Sequence, residues 1–128
     1  MTRINVVPVW ELSDQHLIAE YHELPRVLKQ NINISDAPDK YCLGKGHMKW
    51  AKRFGLFTSC RYGQILAEME YRGFKTNYNM IMDCNEESYR PTAEDIELNR
   101  QRLREKHQVK PNWYRWTKRN KPDWLEGE

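Results

Sequence analysis

Leu17, Tyr21, Leu24 and Leu28 follow one another at spacings of four, three and four residues, the repeat that places side chains on one face of an α-helix. Ser13 is a suitable N-cap ahead of them and Asp14 suits the positive end of the helix dipole. The pattern therefore predicts a helix starting at Ser13–Asp14, running toward Asn31 and kinked at Pro25. His16, Glu23 and Arg26 fall roughly 100–180° round that helix from the apolar stripe, an orientation toward ligand or water. A second helix is predicted from Lys49 to Arg72, stopped by Gly73 as a C′ residue after a basic last turn. Gly55 and Gly63 inside it each cost about 1 kcal/mol relative to alanine, which calls for close packing there or an irregular start. The third helix has the clearest signal. Thr92-Ala93-Glu94-Asp95 matches a capping box, acids lead and bases follow, and Pro111 sets a limit, so it should end near Gln108. Residues 32–48 and 74–91, rich in Asn, Asp, Gly and Tyr, read as loops. With little period-two alternation and no repeats, the fold class is all-α: about three main helices joined by long irregular loops.

A chain of 128 residues fits one domain, here 1–128, ending in a basic aromatic segment over 109–128. No apolar run approaches the roughly 18 residues of a membrane span and no apolar signal region opens the chain, which implies no membrane partner and a cytoplasmic location. Cys42, Cys60 and Cys84 are odd in number and form no CxxC pair, the usage of buried apolar fillers. Neither His47 nor His107 sits at a metal-ligand spacing from them.

Charge changes the picture through its position. Between Arg100 and Lys121 stand nine basic residues (Arg100, Arg102, Arg104, Lys106, Lys110, Arg115, Lys118, Arg119 and Lys121) against one acid, Glu105, whereas residues 1–99 carry 12 bases and 14 acids. Such a block marks either a polyanion partner or a solvated charged helix with a tail. The aromatics threaded through KPNWYRWTKRNKPDW can stack on bases.

The opening Met-Thr-Arg bears on chemistry, because Met before a residue as small as Thr is normally trimmed and Thr2 then carries the free α-amine. An α-amine titrates near 7.7–8.0 and a lysine near 10.4, so at pH 7 roughly 10–15% of the former is neutral and nucleophilic. An amine that attacks an electrophilic sugar carbon needs a carboxylate to offset developing positive charge and to remove a proton. Glu23 is the candidate.

The stretches MTRIN, DQHLIAEYHELPRV and LGKGH, the residues from Lys49 leading to RGF, and RLREK with KPNWY occur in an order that resembles the pyrimidine-dimer DNA glycosylase/AP lyase family, the phage-type ultraviolet repair enzyme called endonuclease V. The resemblance implies a mainly helical, monomeric enzyme acting on damaged double-stranded DNA, with Thr2 and Glu23 catalytic and no metal or organic cofactor. The Thr2 amine would attack the anomeric carbon of the dimer's 5′ pyrimidine and leave an imine, and Glu23 would help remove the 2′ proton so that β-elimination cuts the strand. It further implies phosphate contacts by Arg3, Arg26, Arg102 and Lys106, a lesion-lining role for Gln15 and His16, and base stacking by Trp113 and Tyr114. His22 stands where the family typically has Arg, so a fixed cation is replaced by a histidine at a DNA-contacting position. Residues 29–42 are shorter than the family's, and the segment after Tyr114 is altered. Two other readings stay open: a non-catalytic module for distorted nucleic acid, and an AP lyase of altered lesion specificity.

Overall fold

The computed structural model describes residues 4–78 and 85–125, and every regular element among them is helical, the class expected. Helix α1 spans Asp14–Lys29, α2 His47–Arg53, α3 Gly55–Arg72 and α4 Ala93–Val109, with single 3₁₀ turns at Val9–Glu11 and Asp123–Leu125.

The Ser13 hydroxyl accepts the His16 N–H at 3.1 Å and caps α1 as predicted. Leu17, Leu24 and Leu28 are buried along it and Tyr21 is half-buried. Pro25 lies within the helix, which continues to Lys29 and stops two residues before the expected Asn31. The capping box at the start of α4 is complete, Asp95 N–H bonding Thr92 Oγ1 at 3.1 Å and Thr92 N–H bonding the Asp95 carboxylate at 3.0 Å.

The predicted second helix is two. The chain leaves helical geometry at Phe54, with φ −92° and ψ 55°, and the Thr58 hydroxyl donates to the carbonyl oxygens of Ala51 (2.8 Å) and Phe54 (3.0 Å) across the break. Gly55 is the cause on the sequence side: a Cβ there would collide with the backbone of Asn85, whose loop crosses the break and pairs the Glu87 carbonyl with Leu56 N–H at 3.1 Å. Gly63 faces open space and Gly73 terminates α3 with φ 90°. His47 and Met48, assigned to a loop by their surroundings in the sequence, belong to α2.

Helices α1 and α3 pack antiparallel, joined by two ion pairs, and α2 adds a hydrogen bond to the end of α1. Arg72 bonds Asp14 at 2.8 Å beside the start of α1, Arg61 bonds both Glu20 oxygens at 2.7 and 3.2 Å near its middle, and Lys52 of α2 reaches the Leu28 carbonyl near its end. Around these, Leu17, Leu24, Trp50, Ile65, Met69 and Leu103 form the core.

Between this pair and α4 runs the irregular segment from Ile4 to Pro8, with Ile4, Val6 and Val7 buried, as is Val9 at the start of the 3₁₀ turn. Buried backbone groups require partners, and with no neighbouring strand they find side chains. Asn99 Oδ1 accepts from Val6 N–H (2.7 Å) and Val7 N–H (3.1 Å), the Tyr41 hydroxyl donates to the Ile4 carbonyl at 3.1 Å, and Arg61 donates to that of Val7. The cysteines depart from the filler expectation, since Cys60 is exposed and Cys42 half-buried; Cys84 lies outside the described residues.

Candidate active site

The N-terminal segment and α1 run alongside each other. Arg72, which pairs with Asp14 at the start of α1, also donates to the Val9 and Trp10 carbonyls (3.5 and 3.4 Å). Arg61 links Val7 to Glu20, and the Asn5 amide donates to Glu20 Oε1 at 2.9 Å. Moving from Trp10 back toward Asn5 thus means moving up α1 from Asp14 to Glu20, one helical turn before Glu23. Thr2 and Arg3, assigned to the nucleophile and a phosphate contact, lie outside the described residues.

Glu23 sits on α1 with its side chain 19% exposed and accepts a hydrogen bond from Arg26 Nη1 at 3.1 Å. Arg26 is 67% exposed and presents the rest of its guanidinium outward. The spacing of three residues puts the pair on neighbouring turns of one face, as the sequence pattern required. Beside it, Tyr21, His22, Pro25, Arg26 and Lys29 line an open depression of about 190 Å³. His22 is exposed, with its ring against Tyr21 at 5.0 Å. A carboxylate, a guanidinium and an exposed imidazole on one open surface can hold a phosphate and stabilise a cationic centre next to it.

Gln15 and His16 are engaged by the protein itself. Gln15 donates to the Trp113 carbonyl (2.9 Å) and accepts from Arg115 N–H (3.1 Å), so both ends of its amide hold the segment after α4. The His16 ring stacks on Tyr114 at 4.7 Å, with Ser13 Oγ 2.9 Å from its Nδ1. Its pKa is lowered to about 4, by burial first and then by the charges of Lys106 and His107. The partly open pocket beside this ring offers about 10 Å³, one water's worth of space. His16 is half-buried, one face of its ring covered by Tyr114 and the rest at the surface.

The aromatic pair splits in the same way. Tyr114 lies between His16 and His107 (5.9 Å on the second side), whereas Trp113 is 57% exposed with the Lys110 ammonium 5.6 Å above its ring. Arg102 pairs with Glu105 at 3.3 Å, and Lys106 is half-buried, its pKa lowered by burial and by Arg102. The basic block is also less charged than counting along the chain implies. Arg100 bonds Glu11, Arg104 bonds Glu97, and Arg119 bonds both oxygens of Glu68 at 2.9 Å, all acids from outside the block. Burial would raise the Glu68 pKa, but Arg119 and Arg72 together hold it below the usual carboxylate range. Lys106, Lys110, Arg115 and Lys118 remain on this face without a carboxylate partner among the described residues.

No role is assigned from sequence to Asn5, Glu20, Arg61, Asn99 or His47, whose side chains tie down the N-terminal segment. Glu20 carried a signal: it falls on the apolar stripe between Leu17 and Leu24, where a carboxylate requires a buried partner. Among the described residues no His, Cys, Asp and Glu cluster of three or more could hold a metal ion, and no helix is long and apolar enough to cross a membrane.

The scaffold thus sets the Glu23–Arg26 pair one helical turn from the carboxylate that holds the N-terminal segment, and carries a basic aromatic strip after α4. The chain belongs to the pyrimidine dimer DNA glycosylase family, whose model matches residues 1–82 and so includes the N-terminal segment, α1, α2 and α3.

Proposed function

We propose that this DNA glycosylase removes ultraviolet-induced pyrimidine dimers from duplex DNA and then cuts the strand as an AP lyase, working as a monomeric single domain. The Thr2 α-amine attacks the anomeric carbon of the 5′ pyrimidine's sugar. The glycosidic bond breaks, its electron pair leaves with the base, and the amine nitrogen becomes an imine. Glu23 offsets the positive charge and helps take the 2′ proton, and β-elimination expels the 3′ phosphate. The reaction needs no cofactor.

The observation that carries this reading is the course of the N-terminal segment. Asn5 is tied to Glu20, one turn before Glu23, and the chain is climbing α1 as it approaches its N-terminus. Arg26, His22, Lys106 and the exposed Trp113 supply the phosphate and base contacts, with Arg3 and Arg102 in the same service. Shape selects the site, because a dimer already weakens stacking and lowers the several kcal/mol needed to distort the duplex.

Incubation with dimer-containing, abasic and undamaged duplexes tests the assignment. Cleavage of the first two alone is expected. Cleavage of abasic duplex only identifies a lyase of altered specificity, and tight binding without cleavage of either contradicts the enzymatic reading.

A further inference from the structure

Ile4 is the described residue nearest Thr2, and both of its backbone polar groups are held by side chains. Its N–H donates to His47 Nε2 at 3.1 Å, and its carbonyl accepts the Tyr41 hydroxyl at 3.1 Å. The other ring nitrogen of His47, Nδ1, lies 2.7 Å from the Cys42 carbonyl oxygen. A carbonyl only accepts, so Nδ1 carries the proton and Nε2 offers its lone pair to Ile4. One tautomer of a neutral imidazole therefore satisfies both contacts.

The ring has little freedom. It is 3% exposed, stacked on Trp50 at 6.2 Å and edge-on to Tyr41 at 5.8 Å. The turn before it uses two glycines in the left-handed region, Gly44 at φ 74° and Gly46 at φ 91°, to start α2 with His47 at its first residue. The LGKGH stretch thus acquires a physical purpose in presenting an imidazole acceptor to the N-terminal segment.

We infer that His47 is a positioning residue for the reaction, fixing through Ile4 the reach of the Thr2 amine. The inference rests on the proposed use of that amine as nucleophile. Only Arg3 stands between Ile4 and Thr2, a tether of two residue steps and at most roughly 7 Å, so an anchor at Ile4 restricts the amine directly. The anchors at Val6 and Val7 on Asn99 already satisfy the fold further along. Misplacing a nucleophile by about 1 Å costs up to about 100-fold in rate. His47 neither touches DNA nor transfers a proton in this role.

Three variants test it: His47→Phe, which keeps ring packing and removes the acceptor; His47→Gln, whose amide can accept from Ile4 and donate to Cys42; and Tyr41→Phe, which releases only the Ile4 carbonyl. Each is assayed by single-turnover borohydride trapping on an abasic duplex at saturating enzyme, and by equilibrium binding to a duplex carrying a non-reactive abasic analogue. For His47→Phe the adduct still maps to Thr2, the maximal trapping rate falls about ten-fold or more, and binding stays within about two-fold. His47→Gln recovers most of the rate, and Tyr41→Phe shows a smaller loss of the same kind, which decides the matter should His47→Phe not fold. Wild-type trapping rates in His47→Phe or in Tyr41→Phe, or binding lost in step with rate, overturn the role of His47. An adduct in the unaltered protein that maps away from Thr2 overturns the proposed function instead.

Discussion

The side-chain amide of Asn5 donates to Glu20 Oε1 at 2.9 Å, and the same carboxylate receives Arg61 from α3 through both of its oxygens. One buried ion pair therefore joins the N-terminal segment to the helix that bears Glu23. Glu20 is 1% and Arg61 3% exposed, so removing either partner leaves a buried charge without compensation. Arg61→Leu should lose about 3–5 kcal/mol of stability by denaturant titration, while Arg26→Leu, at an exposed site, should lose well under about 1 kcal/mol. Equal losses would mean that the buried pair does not organise the fold.

His16 gives stability a pH dependence of definite sign. Its folded pKa lies near 4 and its ordinary value is 6.5, so between these pH values the unfolded chain binds a proton that the folded protein excludes. The contribution is complete above about 6.5 and is lost as pH falls toward 4, by roughly 3–4 kcal/mol in all. His16→Phe, which keeps a ring against Tyr114, should flatten this limb in urea titrations run between pH 7 and 4.5. An unchanged slope would place the titration elsewhere.

The stripe at Leu17, Leu24 and Leu28, both helix caps, the Gly73 stop and the Glu23–Arg26 face were legible because each follows from local spacing or local hydrogen bonding. The break at Phe54 was legible only in part: Gly55 called for close packing or an irregular start, but its partner Asn85 stands 30 residues further along the chain. Asn99 and Glu20 lie in line with Ile96 and Leu103 and with Leu17 and Leu24, so their burial could be read from periodicity. Their partners could not, since an irregular segment held by side chains has no sequence period. The neutralised arginines escaped for the same reason: Glu11, Glu68 and Glu97 stand far along the chain or outside the block that was counted.

Trp113 and Tyr114, adjacent in sequence, should respond oppositely to truncation. Trp113→Ala should weaken binding of dimer-containing duplex by about 1–3 kcal/mol and leave the melting temperature nearly unchanged. Tyr114→Ala removes the ring between His16 and His107 and should destabilise the fold by about 1–3 kcal/mol. Paired binding and melting measurements check both, and a binding loss for Tyr114→Ala alone would reverse the assignment.

His22, exposed at the edge of the depression that Arg26 also lines, is open to restoration of a fixed charge. His22→Arg should tighten binding to damaged and undamaged duplex alike and increase the salt dependence of log K by about one unit. No change in salt slope would remove His22 from the phosphate contacts.

The central claim is that the Thr2 amine and Glu23 do the chemistry. Borohydride added during turnover should trap a covalent adduct that peptide mapping assigns to Thr2, in the unaltered protein and not in protein whose terminus is blocked by retained Met1 or acetylation. Glu23→Gln should keep the fold and bind damaged duplex yet lose most strand cleavage, because an amide carries no charge and takes no proton. Normal cleavage of dimer-containing DNA by terminus-blocked protein, or an adduct on any other residue, would contradict the account.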